Sequence, residues 1–112
     1  MVEKVAKGNY AKQTEADEGV YLDDLAPGTV LELETQSHHY TLVKCDGSDV
    51  LISGHPTFCP EPVVVHIEGS FIGPCVTYPE RGFIGRGMHL MFRHPVYDTV
   101  STSLIREIHR HG

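Results

Sequence analysis

The stretch TVLELETQSHHYTLVKCDGSDVLI, from Thr29 to Ile52, decides the fold class. Between Thr29 and Thr35 it alternates, with Leu31 and Leu33 pointing one way and Glu32 and Glu34 the other, the period of a strand buried on one face. His39 to Lys44 is a second such run, with Tyr40 and Leu42 on one face and Thr41 and Val43 on the opposite one. Asp46-Gly47 follows directly and Val50-Leu51-Ile52 comes shortly after. A β-hairpin turning at Asp46-Gly47 is expected, because glycine supplies the positive φ needed there.

Upstream, Tyr21 to Gly28 reads as a turn anchored by Leu22 and Leu25 and closed by Pro27-Gly28. Residues 1–20 are mostly small and charged and read as a flexible polar tail, leaving 21–112 as a single domain. Downstream, three prolines between Gly54 and Pro62 exclude a helix or a central strand there. Val63 to Glu68 resumes a strand, and Gly69-Ser70 is expected to reverse it, in a type II′ turn, into Phe71-Ile72. Gly73-Pro74 interrupts that return, and Tyr78 to Gly82 reads as another turn. Phe83 to Phe92 then reads as one long strand bent at its glycines, with Ile84, Met88, Leu90 and Phe92 on one face. Val96 to Val100 is a further strand, and Thr102 to Ile108 fits either a last strand or a helical turn. No segment repeats and no heptad pattern is present. About six short strands joined by Gly/Pro turns, without a long helix, define an all-β protein. A small antiparallel β-barrel, SH3-like or OB-like, is the expected form.

Composition narrows the function classes. At 112 residues the chain has the size of one domain. Its longest apolar runs, such as Val63-Val64-Val65, fall far short of the roughly 20 residues of a membrane span, and its N-terminal residues lack the apolar core of a secretory signal. A soluble, cytoplasmic protein is expected. Cys45, Cys59 and Cys75, odd in number and widely spaced, suit reduced thiols better than a disulfide framework. A net charge of −6 lacks the basic footprint of a general nucleic-acid binder. The charges are unevenly distributed: all four lysines precede Leu51 and all five arginines follow it.

The candidate chemistry lies in two places. His55-x-x-x-Cys59 occupies the proline-stiffened loop, and with His66 it offers the ligand types zinc prefers. Structural zinc sites usually show two tight ligand pairs, and only one loose pair occurs here, so no cofactor is expected. Buried thiols and surface histidines are the simpler reading. A nucleophilic Cys59 would need a positive charge or a helix N-terminus, and this loop supplies neither. His66 and Glu68 share one face of their strand as a polar surface.

The second place is Gly82-x-x-Gly85-x-Gly87. It is not a phosphate-cradling loop, since a β pattern rather than a helix follows it. Gly85 and Gly87 instead leave a bare strip of backbone, which either a neighbouring aromatic or a partner would cover. Arg81, Arg86, Arg93 and Met88 surround it, and Arg and Met are enriched at protein interfaces. The expected function is therefore a non-enzymatic binding or assembly module acting through protein–protein contacts or self-association, with Gly85, Arg86, Gly87, Met88 and Arg93 in the contact. Two alternatives are a metal- or thiol-dependent enzyme centred on His55 and Cys59, and a nucleic-acid-binding small barrel, the latter by analogy of fold alone.

Overall fold

The computed structural model describes residues 18–73 and 79–111. Most of the expected tail, together with Pro74, Cys75 and Tyr78, lies outside the described residues. In chain order the strands are β1 (Gly19–Tyr21), β2 (Val30–Thr35), β3 (His39–Lys44), β4 (Asp49–Ser53), β5 (Val63–Phe71), β6 (Glu80–Arg81), β7 (Phe83–Gly85), β8 (His89–His94) and β9 (Asp98–His111). A single 3-10 turn, Leu22–Asp24, follows β1. Among the described residues no helix is long and apolar enough to cross a membrane.

Strands β2, β3, β4, β5, β8 and β9 close into a ring. Each is antiparallel to the next in chain order, and β9 returns to pair with β2. The result is an all-β barrel. Its interior is filled by the alternate residues that the sequence pattern singled out. Leu31, Leu33, Leu42, Ile52, Ile67, Leu90, Phe92, Ile105 and Ile108 are all essentially inaccessible to solvent. Each such side chain contributes about 1.5–3 kcal/mol by leaving water.

The hairpin between β3 and β4 forms as expected. Gly47 has φ 58°, the Asp49 amide donates to the Asp46 carbonyl at 2.9 Å, and the Cys45 amide donates to the Asp49 carbonyl at 2.9 Å. The segment 102–108 is strand, part of the fourteen-residue β9. Among the described residues, β1 takes in Gly19 and Val20 from the stretch expected as tail. β1 pairs with β7, placing Val20 opposite Ile84.

Two expectations are corrected. Gly69-Ser70 is not a turn, because β5 continues through it to Phe71. Up to His66 the strand pairs with β4. Beyond it, Gly69 and Ser70 pair with β6 on that side, while β8 stays on the other, with Glu68 as an extra bulge residue between Ile67 and Gly69. Gly69 is needed for clearance: at φ 146°, a Cβ there would overlap the carbonyl of Glu80 on β6. Phe83 to Phe92 is likewise not one strand. It breaks at Arg86-Gly87-Met88, where Gly87 has φ 82°, so that β7 serves β1 while β8 enters the barrel. Leu90 and Phe92 keep their inward face, but Met88 lies in the turn.

The segment between β1 and β2 is tied down by a buried cation. Lys44, 7 % exposed, donates from Nζ to the carbonyls of Leu22 at 2.8 Å and Leu25 at 3.0 Å. It thereby supplies a donor to the Leu25 carbonyl and a second one to the Leu22 carbonyl, which also accepts the Leu25 amide, while Leu22 and Leu25 join the core.

Two stability measurements check this description. Gly69→Ala should lower the unfolding free energy by about 3 kcal/mol, combining an unfavourable φ with a backbone overlap. Gly47→Ala, in open space, should cost only about 1 kcal/mol. Equal losses in urea denaturation would contradict the close passage of β6 over Gly69. Lys44→Met keeps the stem but takes the Lys44 donor from the Leu25 carbonyl, while the Leu22 carbonyl keeps the Leu25 amide, with an expected loss of about 1–3 kcal/mol in the same assay.

Candidate binding groove

The outer wall formed by β4, β5 and β8 carries the most varied surface chemistry. Register places Asp49, His66 and Arg93 in one cross-strand row. His66 Nδ1 lies 3.2 Å from Asp49 Oδ1, and Arg93 Nη2 donates to Glu68 Oε2. An open groove of about 430 Å³ runs beside this row, lined by Asp49, Val64, His66, Arg93, Pro95 and Asp98 among others. On the far side of His66 a second hollow of about 290 Å³ is lined by Ser48, Glu68 and Arg81. Val64 is half exposed, and the turn that carries Pro95 also presents Val96, 77 % exposed, and Tyr97. Asp98 closes that turn at φ 66°, a left-handed conformation that aspartate tolerates better than most residues.

The residues singled out in the sequence fall into three separate places. Gly85 is buried, and the side chains of Phe83 and Met88 lie over it, so a Cβ would collide with both. Arg86 is held within the chain: Nη1 meets Glu18 Oε2 at 3.1 Å and Nε donates to the Arg106 carbonyl at 3.1 Å. Gly87 is exposed in the turn, and its amide donates to the Ile105 carbonyl at 2.8 Å. Arg93 alone of this set lines the groove, near the opposite end of β8 from that turn.

His55 and Cys59 do lie together, bridged across their loop by the Cys59 amide donating to the His55 carbonyl at 3.1 Å. His66 is not with them. It faces Asp49, and three residues of ladder, about 10 Å at the usual rise, separate it from Val63, where the His55 loop rejoins the barrel. Among the described residues no three His, Cys, Asp or Glu side chains are gathered as a metal ion would require. Cys59 is 1 % exposed, and burial pushes its thiol pKa up, against the weaker pull of its backbone hydrogen bond with His55. A thiol so placed is a core side chain.

The structure also shows a feature that the sequence reading passed over. His55-Pro56-Thr57-Phe58 and His94-Pro95-Val96-Tyr97 have the same His-Pro-x-aromatic pattern and the same turn. In the first, His55 Nδ1 accepts the amides of Thr57 at 3.0 Å and Phe58 at 3.2 Å, with the Phe58 ring 4.5 Å away. In the second, His94 Nδ1 accepts those of Val96 at 2.9 Å and Tyr97 at 3.2 Å, with the Tyr97 ring at 4.9 Å. The two turns also touch each other. His94 Nε2 donates to the Phe58 carbonyl at 2.8 Å, and the Phe58 and Tyr97 rings meet edge to face at 5.1 Å. A four-residue pattern occurring twice was legible, but only a search for short motifs rather than long repeats would have found it.

The fold and the wall together define a six-stranded antiparallel barrel with an open, mixed-character groove on one side. No protein-family model, no curated protein and no solved structure matches the chain.

The position of Cys59 sets an expected reactivity. Alkylation of the native protein, followed by peptide mass spectrometry, should label the partly exposed Cys45 well before Cys59, which should react only as the fold opens. Rapid labelling of Cys59 under native conditions would show an accessible, activated thiol instead.

Proposed function

We propose that this chain is a non-enzymatic binding module working through protein–protein contacts, with the β4–β5–β8 groove as its contact surface and self-association as its mode. The observation that carries the reading is exposed Val64, with Pro95, in a groove whose wall also holds Arg93 and His66, and exposed Val96 and Tyr97 on the turn that carries Pro95. Isolated apolar side chains are normal on a surface, whereas apolar groups grouped beside polar ones mark contact sites. Arginine and tyrosine are among the residues enriched there. Closure of the ring supports a contact made by side chains, since a barrel strand paired on both sides has no edge to offer an added strand. Of the contact residues expected from the sequence, Arg93 stays in this proposal. Gly85, Arg86, Gly87 and Met88 do not, because Gly85 is covered by Phe83 and Met88 and the Arg86 guanidinium is engaged by Glu18 and the Arg106 carbonyl. The free thiols of Cys45 and Cys59 suit a reducing, cytoplasmic setting.

Native mass spectrometry and sedimentation of untagged protein over a concentration series test the proposal. A dimer or higher oligomer is expected, and Val64→Asp with Val96→Asp should weaken it at least tenfold. Thermal stability should change little, as for other exposed positions. A strict monomer at the highest attainable concentration, or an oligomer indifferent to both substitutions, overturns the proposal.

A further inference from the structure

We propose that the two His–Pro turns act together as an acid-sensitive clasp, closed while both imidazoles are neutral and released when they are protonated. The hydrogen bonds dictate the charge state. An amide N–H can only donate, so His94 Nδ1, facing the amides of Val96 and Tyr97, must offer a lone pair. A carbonyl can only accept, so His94 Nε2, 2.8 Å from the Phe58 oxygen, must carry the proton. The ring is thereby fixed as the neutral Nε2–H tautomer. His55 Nδ1 meets the amides of Thr57 and Phe58 in the same way. A proton placed on either Nδ1 turns an acceptor into a donor facing two donors.

Phe58 makes the two turns one device. Its amide is held by His55, its carbonyl holds His94, and its ring contacts both His55 and Tyr97. Loss of either turn withdraws a partner from the other. His94 is only 7 % exposed.

The groups around each ring bear on the direction of the effect. His55 faces the rings of His38 at 4.2 Å and Tyr40 at 6.4 Å. Burial pushes the Tyr40 phenol up to about 12 and raises the Cys59 thiol, so both are neutral across the relevant range. Burial, and secondly His38, hold His55 below the ordinary histidine value. His94 shares the lining of the groove with Asp49, Asp98, Arg93 and His66. With the folded value of His55 depressed, the unfolded chain takes up the proton first. Stability is therefore complete above about pH 6.5 and is lost as the pH falls from there toward the folded value. A ring that protonates only on opening, as His55 does, lowers the folding constant by up to about tenfold per pH unit in that window.

Urea unfolding of the full chain from about pH 7.5 to about pH 5, with nitrogen NMR of the imidazoles, tests the clasp. In wild type, both rings should show a bare Nδ1 and a protonated Nε2 at neutral pH, and their titration should coincide with loss of the Thr57, Phe58, Val96 and Tyr97 amide signatures. The other six histidines serve as internal controls. In His55→Asn with His94→Asn the side-chain oxygen can still accept the amides two and three residues on but cannot titrate. That variant should lose the dependence of up to about tenfold per pH unit. If it fails to fold, the wild-type titration decides alone. Imidazoles that protonate while those four amides stay unmoved, or a folded double variant with the wild-type slope, overturn the proposal.

Discussion

Closure of the ring is the constraint on which the rest of the molecule depends, and β9 bears most of it. Its early residues pair with β8 and its later ones with β2, so one continuous strand must change neighbours midway. Irregularities in register at Glu34/Thr35 and at His89/Met91 mark where it bends. The backbone groups freed there are taken up locally. The Gln36 amide donates to the Leu104 carbonyl, the Gly87 amide to the Ile105 carbonyl, and the Ile105 amide to the Met88 carbonyl, all within 3.0 Å. Ile105 is fully buried, so without its two bonds the bend would leave backbone groups unpaired there, at a cost of about 1–3 kcal/mol each. The turn at Arg86-Gly87-Met88 is thus part of the closure.

β5 solves the same problem from the other side. It leaves β4 after His66, bulges at Glu68 and accepts β6 at Gly69 and Ser70. The Ile67 amide reaches back to the Ser48 carbonyl at 2.8 Å, and the Gly82 amide donates to the Glu68 carbonyl at 3.1 Å, so the handover leaves neither group bare. The two long strands, each with divided partners, allow six strands to close around a core built from Leu, Ile, Val and Phe.

How much of this was legible follows from the range of the interactions. The β2–β3–β4 meander could be read because alternation and an Asp-Gly turn are local signals, and the barrel class followed from them. The course of β5 and the break before β8 could not. A glycine required for positive φ in a turn and one required for clearance under a crossing strand look identical in a sequence. Gly69 is the second kind, and Gly85 lacks a side chain because Phe83 and Met88 lie over it. Candidate site residues divide in the same way. The proximity of His55 and Cys59 was readable across five residues. That Val64 and Pro95 share a groove depends on the β5–β8 register, which no local pattern encodes.

The barrel's closure also constrains where recognition can occur. A closed ring uses its backbone donors and acceptors on itself, so contacts with other molecules fall to side chains on the walls and turns. The two turns with the His-Pro pattern occupy different positions in that respect. The loop at His55 is packed against His38, Tyr40 and Phe58, whereas the turn at His94 buries its imidazole but pushes Val96 and Tyr97 outward beside the groove. His66 lies on the same wall as His94, yet it is exposed and bonded only through its side chain to Asp49. Protonation of His94 would remove the acceptor that shapes the turn holding Val96 and Tyr97. The two histidines of this wall therefore hold different things, His66 a side-chain contact with Asp49 and His94 the shape of the turn that carries Val96 and Tyr97.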